Sequence, residues 1–287
     1  MCGADRSILV RTGWLEAHLG DDNLAIIDAS WHMPATGRSG RGEYEAAHIP
    51  GAVHFDIDEI ADKTSGLPHT LPSPEEFSRA CAALGIGDDT AIVIYESEFP
   101  FASPRVWWML SVMGAGQVHL LDGGFKKWRA ENRPVEAGTV SRPPARFSTN
   151  FDAARMRGLA AMRAVINDGG AQVIDARSNP RFTGEEADPR PGIRAGHMPG
   201  AINMHYASFA NADGTIKDND ALAALFGQAG IDMDAPITTT CGSGVTAAVP
   251  LLALALLGGN DDMSLYDGSW SEWGALADTP VETGQKR

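Results

Sequence analysis

Read for its hydrophobic and polar positions, the chain alternates short apolar runs with longer mixed ones. LAIID at 24–28 and TAIVIY at 90–95 are nearly continuous and rich in β-branched residues, the pattern of strands covered on both faces. AQVID at 171–175 and PITTT at 236–240 read the same way. Helix starts fall between them. In Ser73-Pro74-Glu75-Glu76, Ser73 stands as N-cap, Pro74 at the first helical position and Glu76 where it closes a capping box. Ser103-Pro104 opens another helix through VWWMLSVMG, and an apolar helix after PITTT runs to Leu257. This alternation predicts an α/β fold, with a mostly parallel central sheet flanked by helices. Ligands of such sheets bind beyond the carboxyl ends of the strands.

The pattern also repeats. HIPGAVHFD at 48–56 returns as HMPGAINMH at 197–205, and LLDGGFKKW at 120–128 as LYDGSWSEW at 265–273. The offsets are 147 for Asp28 and Asp175, 149 for His48 and His197, and 145 for Trp128 and Trp273. Matches in one order at nearly one offset mean two copies of one domain. The stretch 134–150, PVEAGTVSRPPARFSTN, holds three prolines and no apolar periodicity. We therefore expect a first domain over 1–135, a linker over 136–150 and a second domain over 151–287. His48 and His197 precede Pro-Gly in both copies, which reads as an architectural turn.

Composition narrows the setting. The 287 residues are 44% hydrophobic and carry a net charge of −14, which argues against nucleic acid and anionic membrane as partners. The cysteines, Cys2, Cys81 and Cys241, are odd in number and widely spaced, so neither a disulfide framework nor a metal cluster is expected. The opening MCGADRSILVRTGWLEAHLG lacks the basic-then-apolar order of a secretory signal. The longest apolar run, 245–257, is too short to cross a bilayer and contains Pro250. The cytoplasm is the expected compartment.

Chemistry is expected where the copies differ. One strand ends in Cys241-Gly242-Ser243-Gly244-Val245-Thr246-Ala247, whereas its counterpart ends at Glu96. Glycines one residue apart let the backbone curl so that successive amides face inward as an anion nest. The helix that follows adds its positive end. A cysteine in that nest is expected as a nucleophilic thiolate, and Gly242, Gly244, Val245 and Thr246 supply the cradle. The reading requires carbonyls turned out of the loop and a thiol that solvent reaches. Pro250 predicts a kink or an irregular start in the next helix. Cys2 and Cys81 lack any such context.

The paired domains, the DGSW and HxPGA motifs and the CGSGVTA loop together resemble the rhodanese superfamily of sulfurtransferases over nearly the whole chain. The resemblance implies tandem rhodanese-like domains, with the first copy non-catalytic. It implies a persulfide on Cys241 and no metal or organic cofactor. The neutral loop is similar to that of members drawing sulfur from 3-mercaptopyruvate, since thiosulfate-specific members carry basic residues there. Release of pyruvate follows, with a thiol such as thioredoxin or a small thiol, or cyanide, as acceptor.

The resemblance also implies roles for particular side chains. Arg181 and Arg190 would hold the substrate carboxylate and carbonyl, for which a guanidinium fork is suited. The residues alone equally allow surface pairing with Glu185, Glu186 or Asp188. Asp58 and His69 would form a relay with Ser243, polarising its hydroxyl near the reacting sulfur. Trp31 and Phe101 would wall the pocket, although core packing accounts for them equally. Thiosulfate is the rival donor, and a non-catalytic binding pair of domains is the remote alternative. A cysteine phosphatase is disfavoured, because Ala247 stands where an arginine would clamp phosphate.

Overall fold

In the computed structural model residues 8–259 and 262–285 are described. The first copy contains β1 (Leu9–Val10), α1 (Thr12–Ala17), β2 (Leu24–Asp28), α2 (Gly40–Ala46) and β3 (Val53–His54), then α3 (Pro74–Ala83), β4 (Ala91–Tyr95), α4 (Ser103–Val112), β5 (Gln117–Leu121) and α5 (Gly124–Ala130). The second follows with β6 (Met156–Arg157), α6 (Leu159–Asp168), β7 (Gln172–Asp175), α7 (Asn179–Thr183) and β8 (Ile202–Asn203), then α8 (Asn219–Gln228), β9 (Ile237–Thr240), α9 (Ala248–Leu256), β10 (Met263–Tyr266) and α10 (Ser269–Trp273). Cys2 lies outside the described residues.

The two sheets have one topology. Strand order is β1-β5-β4-β2-β3 in the first and β6-β10-β9-β7-β8 in the second, and every pairing is parallel. Parallel strands require crossovers, and the helices supply them on the sheet faces. Burial agrees: all five residues of β2 and all four of β9 are buried. Ser73 caps α3 with the reciprocal Glu76 bond that the sequence predicts, and α4 starts at Ser103.

The chain divides into two compact units that trade a segment. The first comprises 1–60, 72–151 and 210–216, and the second comprises 61–71, 152–209 and 217–287. Each traded loop docks one amide on the aspartate after a last sheet strand. Leu71 N donates to Asp267 Oδ2 at 2.7 Å in the second unit, and Ile216 N to Asp122 Oδ1 at 2.8 Å in the first. These are the aspartates of the DGSW and DGG motifs.

Residues 136–150, expected as a linker, form neither helix nor sheet strand, but they are strapped to the first unit. Phe147 is buried edge-on against Phe77, Ala145 N donates to Ala82 O at 3.0 Å, and Asn150 N donates to Met113 O at 2.8 Å. Gly85 admits the strap: its φ is +72°, and a Cβ there would stand 2.9 Å from Pro143 O. Both turn histidines are buried and bonded to a backbone carbonyl. His48 is buried with Nδ1 2.7 Å from Tyr44 O, and His197 is buried with Nδ1 2.8 Å from Phe182 O.

Candidate active site

Strand β9 delivers Cys241 to the carboxyl end of the second sheet, and residues 241–247 turn into α9. The Cys241 carbonyl accepts from Trp270 N at 3.0 Å, and the Gly242 carbonyl from Ser271 N at 2.8 Å. The first turn of α10 thus consumes both oxygens. Cys241 N donates to Ser269 Oγ at 3.2 Å, and that hydroxyl donates to Tyr266 O at 2.9 Å. Gly244 makes the reversal at φ +80°, a conformation costly for a side chain. Among the described residues no acceptor takes the amides of Gly242, Val245 and Thr246. These donors remain available to an anion.

The irregularity expected around Pro250 falls ahead of the helix. Ala248 N reaches Val245 O at 3.3 Å and Val249 N reaches Thr246 O at 3.1 Å, two tight turns before regular helix is established. Since α9 begins at Ala248, Pro250 occupies its third position, where an amide has no intrahelical partner to lose. Cys241 is less open than the sequence reading requires, with only 2% of its surface exposed. The thiol is therefore largely shielded from solvent.

Four arginines lie between residues 177 and 194, and the structure sorts them. Arg177 is buried against Asp175, with Nη2 to Oδ2 at 2.6 Å. Arg194 is spent on carbonyls, among them Gly274 O and Thr279 O. Arg181 and Arg190 instead meet over the active loop. A Cβ on Gly242 would stand 3.3 Å from Arg181 Nη2, 3.3 Å from Arg190 Nη2 and 3.4 Å from Arg190 Nη1. Asp188 ties them together from behind: Arg181 Nη2 is 2.5 Å from its Oδ2, and Arg190 Nη1 is 3.2 Å from its Oδ1. The Asp188 side chain is 1% exposed, against 15% for Arg181 and 30% for Arg190. The buried Arg181 Nε has no hydrogen-bond partner among the described residues.

His69 and Ser243 come together, 174 residues apart in sequence, with Nδ1 and Oγ sharing a hydrogen bond of 2.9 Å. Both belong to the second unit, because the traded loop 61–71 carries His69 into it. The loop presents the imidazole from an unusual backbone, φ +61° at His69. Asp58 belongs to the first unit, where Trp31 Nε1 donates to its Oδ2 at 2.8 Å. Trp31 stacks on Phe101 with centroids 5.9 Å apart, and both rings are half-buried rather than core.

In the first copy Glu96 occupies the position of the thiol. Its carboxyl is buried and accepts from Phe101 N, Ala102 N, Ser103 N and Ser103 Oγ at 2.6–3.0 Å. Burial pushes this carboxyl up to about 7 against those four donors. The first copy therefore holds a cradle of donors filled by its own side chain. In the sequence Asp188 reads only as a surface ion-pair partner, and Ser269 carries no mark of a role of its own. No periodicity marks either; the signal for Ser269 was its place in the DGSW motif beside the loop's counterpart strand.

The sequence profile of the Rhodanese-like domain matches residues 12–131 and 159–276. The 3-mercaptopyruvate sulfurtransferase of Escherichia coli K12 is 43% identical over 276 residues, covering 95% of this chain and 97% of that protein. The human 3-mercaptopyruvate sulfurtransferase is 39% identical over 271 residues, covering 92% and 91%. The crystal structure of Escherichia coli SseA, described as showing the rhodanese fold and catalytic mechanism of 3-mercaptopyruvate sulfotransferases, superposes with a TM-score of 0.84. It is 39% identical and covers 92% of this chain and 99% of that one.

Proposed function

The chain belongs to the rhodanese-like family, and on that premise we propose that it is a sulfurtransferase taking sulfur from 3-mercaptopyruvate onto Cys241 and releasing pyruvate. The observation that carries the donor assignment is the pair of guanidinium groups, Arg181 and Arg190, closed over Gly242 next to the cysteine. A 2-oxo acid offers a carboxylate and a ketone side by side, which suits two forks at one place.

The Cys241 thiolate attacks the donor sulfur, and an S–S bond forms as the carbon–sulfur bond breaks. The departing electron pair delocalises into the neighbouring carbonyl as the pyruvate enolate, and the arginines stabilise the oxygen that gains charge. Protonation at carbon gives pyruvate. Cys241 retains a persulfide, whose outer sulfur is also anionic and is served by the free loop amides. Ser243, bonded to His69, steers the donor's thiol proton. Gly242, Gly244, Val245 and Thr246 shape the cradle.

A thiol acceptor, either thioredoxin or a small thiol, or cyanide, then removes the outer sulfur and regenerates the thiolate. Both half-reactions are sulfur exchange on a cysteine, so the cycle calls for neither metal nor organic cofactor. None of the described helices is long and apolar enough to cross a membrane. We assign the activity to the cytoplasm, where reducing conditions keep Cys241 competent.

Mass spectrometry tests the proposal. Exposure to 3-mercaptopyruvate should add one sulfur atom to the Cys241 peptide, and a thiol should remove it. Cys241→Ser should lose turnover while keeping its thermal transition. Near wild-type turnover in that variant would overturn the assignment, and a strong kcat/KM preference for thiosulfate would overturn the donor.

A further inference from the structure

We propose that Asp188 is a specificity-determining residue, which trims the charge of the arginine pair so that the pocket favours a monocarboxylate donor over a doubly charged one. The inference rests on the reading of Arg181 and Arg190 as the donor-binding groups. It goes beyond that reading by assigning donor discrimination to a residue that need not touch the donor.

Three observations support it. First, Asp188 is bonded to both guanidiniums at once: Oδ2 takes Arg181 Nη2 at 2.5 Å, and Oδ1 takes Arg190 Nη1 at 3.2 Å and Arg190 N at 3.0 Å. Second, the Asp188 side chain is 1% exposed, so water screens its charge little. Glu185 and Glu186, the other acids of the segment, are exposed and screened. Third, the same Nη atoms that hold Asp188 stand 3.3–3.4 Å from the space above Gly242, so its charge lies one guanidinium away from any ligand there.

The consequence is electrostatic. Two guanidiniums backed by one carboxylate present one net positive charge. A monocarboxylate neutralises it. Thiosulfate carries two negative charges, and its second charge meets the field of Asp188 without compensation. Positioning and discrimination therefore come from one group. The carboxylate fixes the two forks, and it also sets how much negative charge they accept.

The test is Asp188→Asn, with Asp188→Glu as the conservative rescue and Asp168→Asn, an exposed residue at the end of α6, as the control for total charge. The readout is the ratio of kcat/KM for thiosulfate to kcat/KM for 3-mercaptopyruvate. Misplaced arginines would weaken both donors and leave the ratio in place. Charge trimming predicts a rise in the ratio of at least about tenfold in Asp188→Asn, with Asp188→Glu close to wild type. A ratio within about twofold of wild type, or an equal rise in Asp168→Asn, would overturn the proposal. The wild-type Cys241 peptide separates the two levels of the argument. If 3-mercaptopyruvate adds no sulfur to it, the underlying donor reading fails and this inference falls with it. If sulfur is added and the ratio does not move, only the role of Asp188 fails.

Discussion

Replacing Gly242 with alanine places one methyl group between the active loop and the arginine pair. Gly242 does not adopt the left-handed backbone, so the substitution carries no φ penalty, and it removes unfolded-state freedom worth about 0.4–1 kcal/mol. The new Cβ would lie 3.3 Å from Arg181 Nη2, 3.3 Å from Arg190 Nη2 and 3.4 Å from Arg190 Nη1, a few tenths of an ångström too close to all three. Arg181 cannot yield freely, because its Nη2 is held 2.5 Å from the buried Asp188. The methyl therefore pushes the guanidiniums away from the cysteine and fills space that a donor carboxylate needs. Losing one charge-assisted hydrogen bond costs about 1.5–3 kcal/mol, roughly a tenfold to hundredfold drop in kcat/KM. Folding stability should change by no more than about 1 kcal/mol, because the displaced atoms are the ends of long side chains. Pyruvate release from 3-mercaptopyruvate measures the first quantity and thermal unfolding the second. A variant with unaltered melting and kcat/KM within about twofold of wild type would refute the claim that the forks over Gly242 hold the donor.

Other perturbations reach different parts of the molecule. His69→Asn keeps a residue that tolerates the +61° backbone but removes the imidazole facing Ser243; kcat should fall by at least about tenfold with little change in KM, and an unchanged kcat would exclude the relay. The Glu96 carboxyl is held at about 7, whereas the unfolded chain ionises it near 4.5. Between these values the folded state keeps a proton that the unfolded state releases, so stability falls as pH rises through the window, by up to about 3 kcal/mol. Glu96→Gln should flatten that part of the profile, and parallel urea midpoints for the two proteins from about pH 5 to about pH 8 would contradict it. Cys81 is buried in α3, and burial pushes its thiol upward, so native-state alkylation should leave it unlabelled while Cys241 reacts slowly; preferential labelling of Cys81 would reverse the assignment.

Much of the fold was legible because its signals are local. The β-branched runs at 24–28 and 237–240, the Ser73 capping box and the internal repeat each depend on neighbours a few residues away or on simple self-comparison. The cysteine loop was legible for the same reason, since its glycines are adjacent to the group they serve. Arg181 and Arg190 could not be told from Arg177 and Arg194 by spacing; only the fold decides which guanidinium meets Asp175, which meets carbonyls and which reaches Gly242. Asp188 looked like an ordinary surface acid until the segment closed over it. The low exposure of Cys241 was likewise hidden, because the carbonyl contacts to Trp270 and Ser271 come from a helix almost thirty residues away.

The trade of loops makes each half of the sequence contribute to the unit built mainly by the other. The segment carrying His69 is encoded in the first half but belongs to the unit that holds Ser243. A chain cut after the repeat boundary would yield a cysteine-bearing half missing the imidazole, and a partner half left without the strand-end cover supplied by 210–216. Neither half of the sequence, taken alone, therefore spans a whole unit.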